Sequence, residues 1–228
     1  AFRSDLLDEA GAFKSLRIAR DIRDDLEHAV SVSPEHVDAL VALASFHQRA
    51  PGIAGGNEHY AEALMERLDQ LAPERMHLRV AMQQAEQENY DAAVARMSRA
   101  IDTAGQIRPK WFLRKGRWLL EIEQYAPATQ CFQRALDNAP RFGPALYELG
   151  RLAAQGQGDP VEGLAALRDY LQLPTWPGDP NHALAWLHLG RIQARLGRDA
   201  EAREAFRRAL DLDPDLKRAR QALDELAA

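Results

Sequence analysis

Small residues recur at fixed offsets from large ones along most of this 228-residue chain, and a chain built that way folds by stacking copies of one unit. The clearest copy is the 34-residue segment Ala183 to Leu216, ALAWLHLGRIQARLGRDAEAREAFRRALDLDPDL. Trp186, Leu189 and Gly190 stand in its first half, and Ala202, Phe206, Ala209 and Pro214 in its second. Pro109 to Phe142 repeats the pattern with Gly116, Ala128, Phe132, Ala135 and Pro140. Gly143 to about Pro174 repeats it with Leu146, Leu149, Gly150, Gly163, Leu167 and Pro174, lengthened by one residue in the turn QGQGDP. Glu74 to Ile107 keeps Val80, Ala81, Ala93, Met97 and Ala100 but lacks the closing proline, so Gly105 is expected to end that helix. Upstream the pattern loosens. Val37 to Pro73 keeps Leu40, Leu43, Ala44, Ala61, Met65, Leu68 and Pro73 around the insert APGIAGGN, and Arg3 to His36 keeps Leu26, Ala29 and Pro34.

The spacing has a packing reason. A small residue lets two helix backbones approach closely, and an aromatic or methionine side chain on the second helix fills the space toward the next unit. No unit buries its apolar face alone, so stability is roughly a sum over neighbours. These residues resemble the consensus of the tetratricopeptide repeat, strongly over residues 74 to 216 and moderately before that. The resemblance implies an all-α, right-handed superhelical solenoid of about six helical hairpins plus a C-terminal capping helix. It also implies a single domain over 1–228, with repeats at approximately 3–36, 37–73, 74–108, 109–142, 143–182 and 183–216 and the cap at 215–228. Residues 3–36 then form a degenerate first hairpin. The tail DLKRARQALDELAA fits the cap, because Leu216, Ala219, Leu223 and Leu226 share one helical face with charge opposite. The N-terminal end carries Phe2, Leu6, Leu7 and Phe13, which calls for cover from preceding residues or from another chain. The opening on Ala1 rather than Met is compatible with removal of a signal peptide or a longer N-terminal region, and leaves cytoplasm and periplasm both open.

Composition agrees with helices and narrows the partners. Hydrophobic residues are 46% and charged residues 28%, while aromatics are 7%. Ala, Leu, Arg, Glu and Asp dominate, most of them good helix formers. The Ala- and Arg-rich bias resembles bacterial members of the family. A formal charge of -5 argues against general binding of nucleic acid or of an anionic membrane. Cys131 is the single cysteine, so neither an internal disulfide nor a thiolate zinc site can form. No apolar run approaches the roughly 18 residues of a membrane span.

A search for chemistry predicts no catalytic residues, no metal and no cofactor. His28, His36, His47, His59, His77, His182 and His188 show no metal-ligand spacing and read as surface or turn residues. Cys131 sits beside Phe132 and reads as a packed side chain. The insert Gly52-Ile53-Ala54-Gly55-Gly56-Asn57 lacks the lysine and the preceding strand of a phosphate loop, so it reads as a long connection whose glycines supply unusual backbone angles.

The family resemblance implies that the first helix of each hairpin lines a concave groove through its second, fifth, ninth, twelfth and thirteenth positions. The ninth is Arg117, Arg151 and Arg191 in three successive repeats. Lys110, Tyr147 and Arg195 occupy neighbouring groove positions, with Arg114 and Arg75 nearby. Arginine presents a planar fork of donors that holds a carboxylate by two hydrogen bonds. The expected function is therefore a protein- or peptide-binding adaptor with an acidic or carboxylate-bearing partner, and not an enzyme. Two readings weaken that field: arginine stems can simply cover a neighbouring turn, and Glu86, Glu121 and Glu148 can pair with the arginines. The clamp by which some relatives dock heat-shock chaperones needs Asn at the ninth position, which is absent here. Trp176, between prolines in LPTWPGDPNH, is a candidate aromatic anchor at a groove edge, whereas Trp111, Trp118 and Trp186 read as core. The alternative is an assembly module that self-associates into a homo-oligomer through its N-terminal hairpin.

Overall fold

The computed structural model describes residues 2–106, 108–174 and 180–226, with side chains from residue 14 onward. The described residues contain no strand. Twelve α-helices are seen among them: α1 (Phe2–Val32), α2 (Val37–Arg49), α3 (Glu58–Leu71), α4 (Pro73–Glu86), α5 (Tyr90–Thr103), α6 (Pro109–Glu121), α7 (Tyr125–Asn138), α8 (Gly143–Gln155), α9 (Pro160–Leu171), α10 (His182–Arg195), α11 (Asp199–Leu212) and α12 (Lys217–Glu225). Their contacts group into two compact units, Ala1–Val80 with Asp102–Ala104, and Ala81–Ile101 with Gly105–Ala228.

In the first unit the expected hairpin over 3–36 is instead one helix, α1, of 31 residues. A hairpin needs a turn, and after Gly11 the sequence offers no glycine or proline before Pro34. A lone interior glycine costs a helix about 1 kcal/mol without stopping it. Ten helices therefore lie between α1 and α12 among the described residues, and α2 with α3, α6 with α7, α8 with α9 and α10 with α11 pack as hairpins. The C-terminal half of α1 takes the part of a second helix: Leu26 and Val30 pack against Leu40, Leu43, Leu64 and Leu68 from α2 and α3. Phe2, Leu6, Leu7 and Phe13 fall where side chains lie outside the described residues.

The insert behaves as a shaped connection. A 3-10 turn over Gly52–Ala54 buries Ala54, and Gly55 follows with a left-handed φ of 94°. A Cβ on Gly56 would lie 1.8 Å from the Ala50 carbonyl oxygen, so only glycine fits. Arg20 of α1 donates to the Ile53 carbonyl at 3.1 Å. Asn57 then caps α3 by accepting from the Tyr60 amide at 3.1 Å.

In the second unit the close approach that the pattern requires is present in each complete hairpin. A Cβ on Gly116 would stand 2.5 Å from the Phe132 ring, and one on Gly190 the same distance from Phe206. Gly150 meets Leu167 in the same way at 2.1 Å. Phe132, Leu167 and Phe206 are at most 1% exposed, so neither partner can retreat into solvent. Four helix-to-helix connections also share one turn. The amides of Asn89, Gln124, Gln157 and Arg198 reach back to the carbonyls of Gln84, Leu119, Leu152 and Gln193 at 2.8–2.9 Å. This closure needs a left-handed residue just before the donor. Gly156 and Gly197 provide it, but Glu88 (φ 58°) and Glu123 (φ 56°) do so with a side chain. The helix before Gly105 ends at Thr103, and Gly105 is not left-handed, which corrects its expected role as a helix stop.

α12 closes the last hairpin. Leu216 and Ala219 are buried, and Leu223 and Leu226 pack on the cluster built around Leu187 and Phe206. Arg203 of α11 donates to the Leu226 carbonyl at 2.5 Å. Trp111 and Trp118 are buried as expected, while Trp186 is half-buried against the same cluster.

Two substitutions test these local constraints in opposite directions. Gly116→Ala forces a methyl against the Phe132 ring and should destabilise by about 1–3 kcal/mol, with much of the loss recovered in the Gly116→Ala, Phe132→Leu pair. Glu123→Gly relieves a left-handed side chain and should stabilise by up to about 1 kcal/mol. Urea-unfolding midpoints read both. A neutral Gly116→Ala would contradict the packing argument.

Candidate functional site

The three ninth-position arginines come from α6, α8 and α10. They are not equivalent. Arg117 Nε donates to Glu148 Oε1 at 2.8 Å, and Arg151 Nε donates to Glu148 Oε2 at 2.8 Å. One carboxylate thus bridges two successive arginines, and of the three glutamates offered by the sequence Glu148 takes that role. Its side chain is 7% exposed, against 49% for Arg117 and 29% for Arg151. The burial follows from α8, which packs on α7, α9 and α10 and is enclosed on nearly every side from Ala145 to Gly150. A carboxylate in such a place must be paired, because leaving it unpaired costs several kcal/mol. Arg191 has no carboxylate partner among the described residues.

Tyr147, expected on the groove surface, is 7% exposed. Its hydroxyl lies 3.1 Å from His188 Nε2 and shares one hydrogen with it. The Tyr147 and Tyr170 rings pack at 5.6 Å, and Tyr170 in turn contacts the His182 ring. His188 and His47 are 5% and 4% exposed, which corrects the reading of the histidines as surface or turn residues. Both lie on first helices of hairpins that neighbouring helices cover, an environment that residue type alone does not reveal. Burial, followed by the charges of Arg191, Arg151 and Arg218, lowers the pKa of His188 to about 4, so the ring is neutral at pH 7. Burial likewise pushes the Tyr147 phenol above its usual range.

Of the remaining predicted side chains, Lys110, Arg114 and Arg195 lie on α6 and α10. Lys110 and Arg114 are exposed on α6, and Arg114 Nη1 approaches Met82 Sδ at 2.9 Å. Arg195 donates through Nη1 to the Ala153 carbonyl at 2.7 Å, tying α10 to α8. Arg75 belongs to the first unit, where it pairs with Asp38 at 3.0 Å. Trp176 lies outside the described residues. Arg218 of α12 was not anticipated, although the signal existed: it stands 34 residues after Leu184, a second position of the last repeat, and so continues the period into the cap.

The site has a pH signature. His188 is neutral in the folded chain down to about pH 4, whereas the unfolded side chain protonates near its ordinary value of 6.5. The unfolded state therefore binds more protons between those values, and stability is lost as pH falls through that window. A shift of this size corresponds to about 3 kcal/mol. Urea unfolding at pH 7 and pH 4.5 should show a smaller loss for His188→Gln than for the parent chain. Equal losses would show that His188 is not the titrating group.

Residues 113–180 and 153–217 match the family model described as Tetratricopeptide repeat. The Protein CTR9 homolog of Arabidopsis thaliana is 31% identical over 164 residues, which cover 70% of this chain and 14% of that protein. YrrB, described as a TPR protein with an unusual peptide-binding site, has a TM-score of 0.64 at 22% identity, over 86% of this chain and 96% of its own. PilW, a type IV pilus biogenesis factor, has a TM-score of 0.57 at 17% identity, over 95% of this chain and 96% of its own. The similarity to these solved structures concerns the fold. No helix among the described residues is long and apolar enough to cross a membrane. The glycine-to-ring contact and the shared turn are thus the packing of a known repeat, and residues 113–217 carry the tetratricopeptide repeat.

Proposed function

We propose that this chain is a non-catalytic scaffold that binds an acidic segment of a partner protein along the face carrying Arg117, Arg151 and Arg191. Tetratricopeptide-repeat proteins are in general protein-interaction scaffolds, and the similarity to YrrB adds a relative described by its peptide-binding site. The observation that carries the reading is the bridge at Glu148. A single buried carboxylate orients two arginines but neutralises only one of them. Arg117, Arg151, Arg191 and Arg218 against Glu148 leave a formal charge of +3 on a chain whose total is -5. Orienting the guanidinium groups in advance reduces the ordering cost of binding.

A second reading, self-association, draws on α1, where Ile18 and Ile22 lie one turn apart and are 47% and 48% exposed. Sedimentation separates the two, because a strong dimer indifferent to changes at Arg191 would favour assembly.

The test of the binding reading follows from the bridge. Removing Arg117 and Arg151 alone would strand Glu148, so the variant without the charge cluster is Arg117→Ala, Glu148→Ala, Arg151→Ala, Arg191→Ala. A library of C-terminal and internal peptides selected on the parent should enrich acidic sequences whose binding weakens with salt and disappears in the folded quadruple variant. Glu148→Gln removes the competing carboxylate and should tighten the same peptides by about 3- to 10-fold. Unchanged binding in both variants would overturn the reading.

A further inference from the structure

Between α10 and α12 the second unit holds a pocket of about 350 Å³. Arg191, Arg195 and Arg218 enter its lining together with the apolar surfaces of Ala194, Ala222 and Leu226, which are partly exposed. Three arginines against the one acidic lining residue, Glu225, leave a formal charge of +2. Glu225 is already engaged along its own helix, where its Oε1 accepts from Gln221 Nε2 at 2.8 Å. Arg195 is held at the rim by its bond to the Ala153 carbonyl. Arg218 is exposed, and like Arg191 it has no carboxylate partner among the described residues. Both line the same pocket, Arg191 from α10 and Arg218 from α12. The positive charge continues from Arg191 to Arg151 and Arg117, which suits an extended segment better than an isolated small anion.

Building on the scaffold reading above, we infer that this pocket is a specificity subsite, in which Arg191 and Arg218 hold an acidic side chain of the bound segment while the neighbouring aliphatic side chain lies against Ala194, Ala222 and Leu226. The capping helix then belongs to the binding surface as well as covering the last hairpin. Arg218 is the specificity-determining residue, since its planar fork can take both oxygens of a carboxylate where a lysine offers a point charge. The apolar wall supplies the second half of the recognition. A polar neighbour would leave that wall uncovered, and an uncharged analogue of the acid would leave the guanidinium groups without their acceptor.

The experiment uses the full chain and fluorescein-labelled 14-residue peptides, acetylated and amidated, with glutamates on both sides of a central Glu-Leu, Gln-Leu or Glu-Ser pair. Fluorescence anisotropy should give Glu-Leu at least a five-fold tighter Kd than either alternative. Arg218→Gln, with an unchanged thermal melt, should erase that advantage while leaving all three peptides bound through the arginine row, and Arg218→Lys should restore only part of it. Three equal affinities on the parent, or an undiminished advantage in Arg218→Gln, would overturn the subsite. If the three peptides bind equally and the quadruple variant loses them, the scaffold reading stands and the subsite alone fails. If none binds the parent, both fail. A peptide ending in leucine with a free carboxylate, binding more tightly than the Glu-Leu peptide, would overturn the assignment to a side chain.

Discussion

The distance between paired helices governs this molecule. At Gly116, Gly150 and Gly190 there is no room for a methyl group, because a buried ring or leucine from the second helix occupies the space. That approach fixes how each pair of helices sits, and the shared reverse turn from Gln84, Leu119, Leu152 and Gln193 fixes the chain direction between them. Once those two constraints repeat at a constant spacing, any other residue that repeats with them lands at an equivalent place on successive hairpins. The arginines one residue after the three glycines are such a set. Their alignment is a consequence of backbone packing that no arginine helps to create.

Alignment alone would place three like charges in a row, and the chain resolves part of that repulsion inside itself. Glu148 is buried on the enclosed helix α8 and accepts from arginines before and after it. The pair contributes orientation more than stability, since a buried ion pair recovers little beyond its desolvation cost. Beneath it, Tyr147 and neutral His188 share a hydrogen bond in a region where a charged imidazolium would face three arginines. The face is thus layered, with an apolar and neutral polar floor below and a net positive surface above. Arg191 and Arg218 have no carboxylate partner among the described residues, which is why the ligand carboxylate is proposed to bind there.

Much of this was legible in the sequence. The period identified helical pairs from Val37 to Leu216, the capping tail and the arginine row, because small residues at close contacts leave a mark that substitution elsewhere does not blur. The first segment was misread: Leu26 and Ala29 do match the second helix of a repeat, but the turn that would precede it is missing, so α1 runs on without a break. Glu148, Tyr147 and His188 were seen as groove or surface candidates. Their burial depends on how many neighbours cover α8 and α10, and spacing within one repeat carries no information about that. Arg218 was passed over because the cap was read only for its apolar face. Continuing the count of 34 through Leu184 would have given it the second position of a further unit.

The central claim is that the arginine row is where a partner binds. Protein labelled with nitrogen-15 on arginine side chains resolves each Nε–Hε pair, and the two that donate to Glu148 should resonate apart from the rest. On titration with an acidic peptide, saturable and salt-sensitive shifts at Arg191 and Arg218, with smaller ones at Arg117 and Arg151, are the predicted result. Saturable binding that leaves all four resonances unmoved would contradict the account.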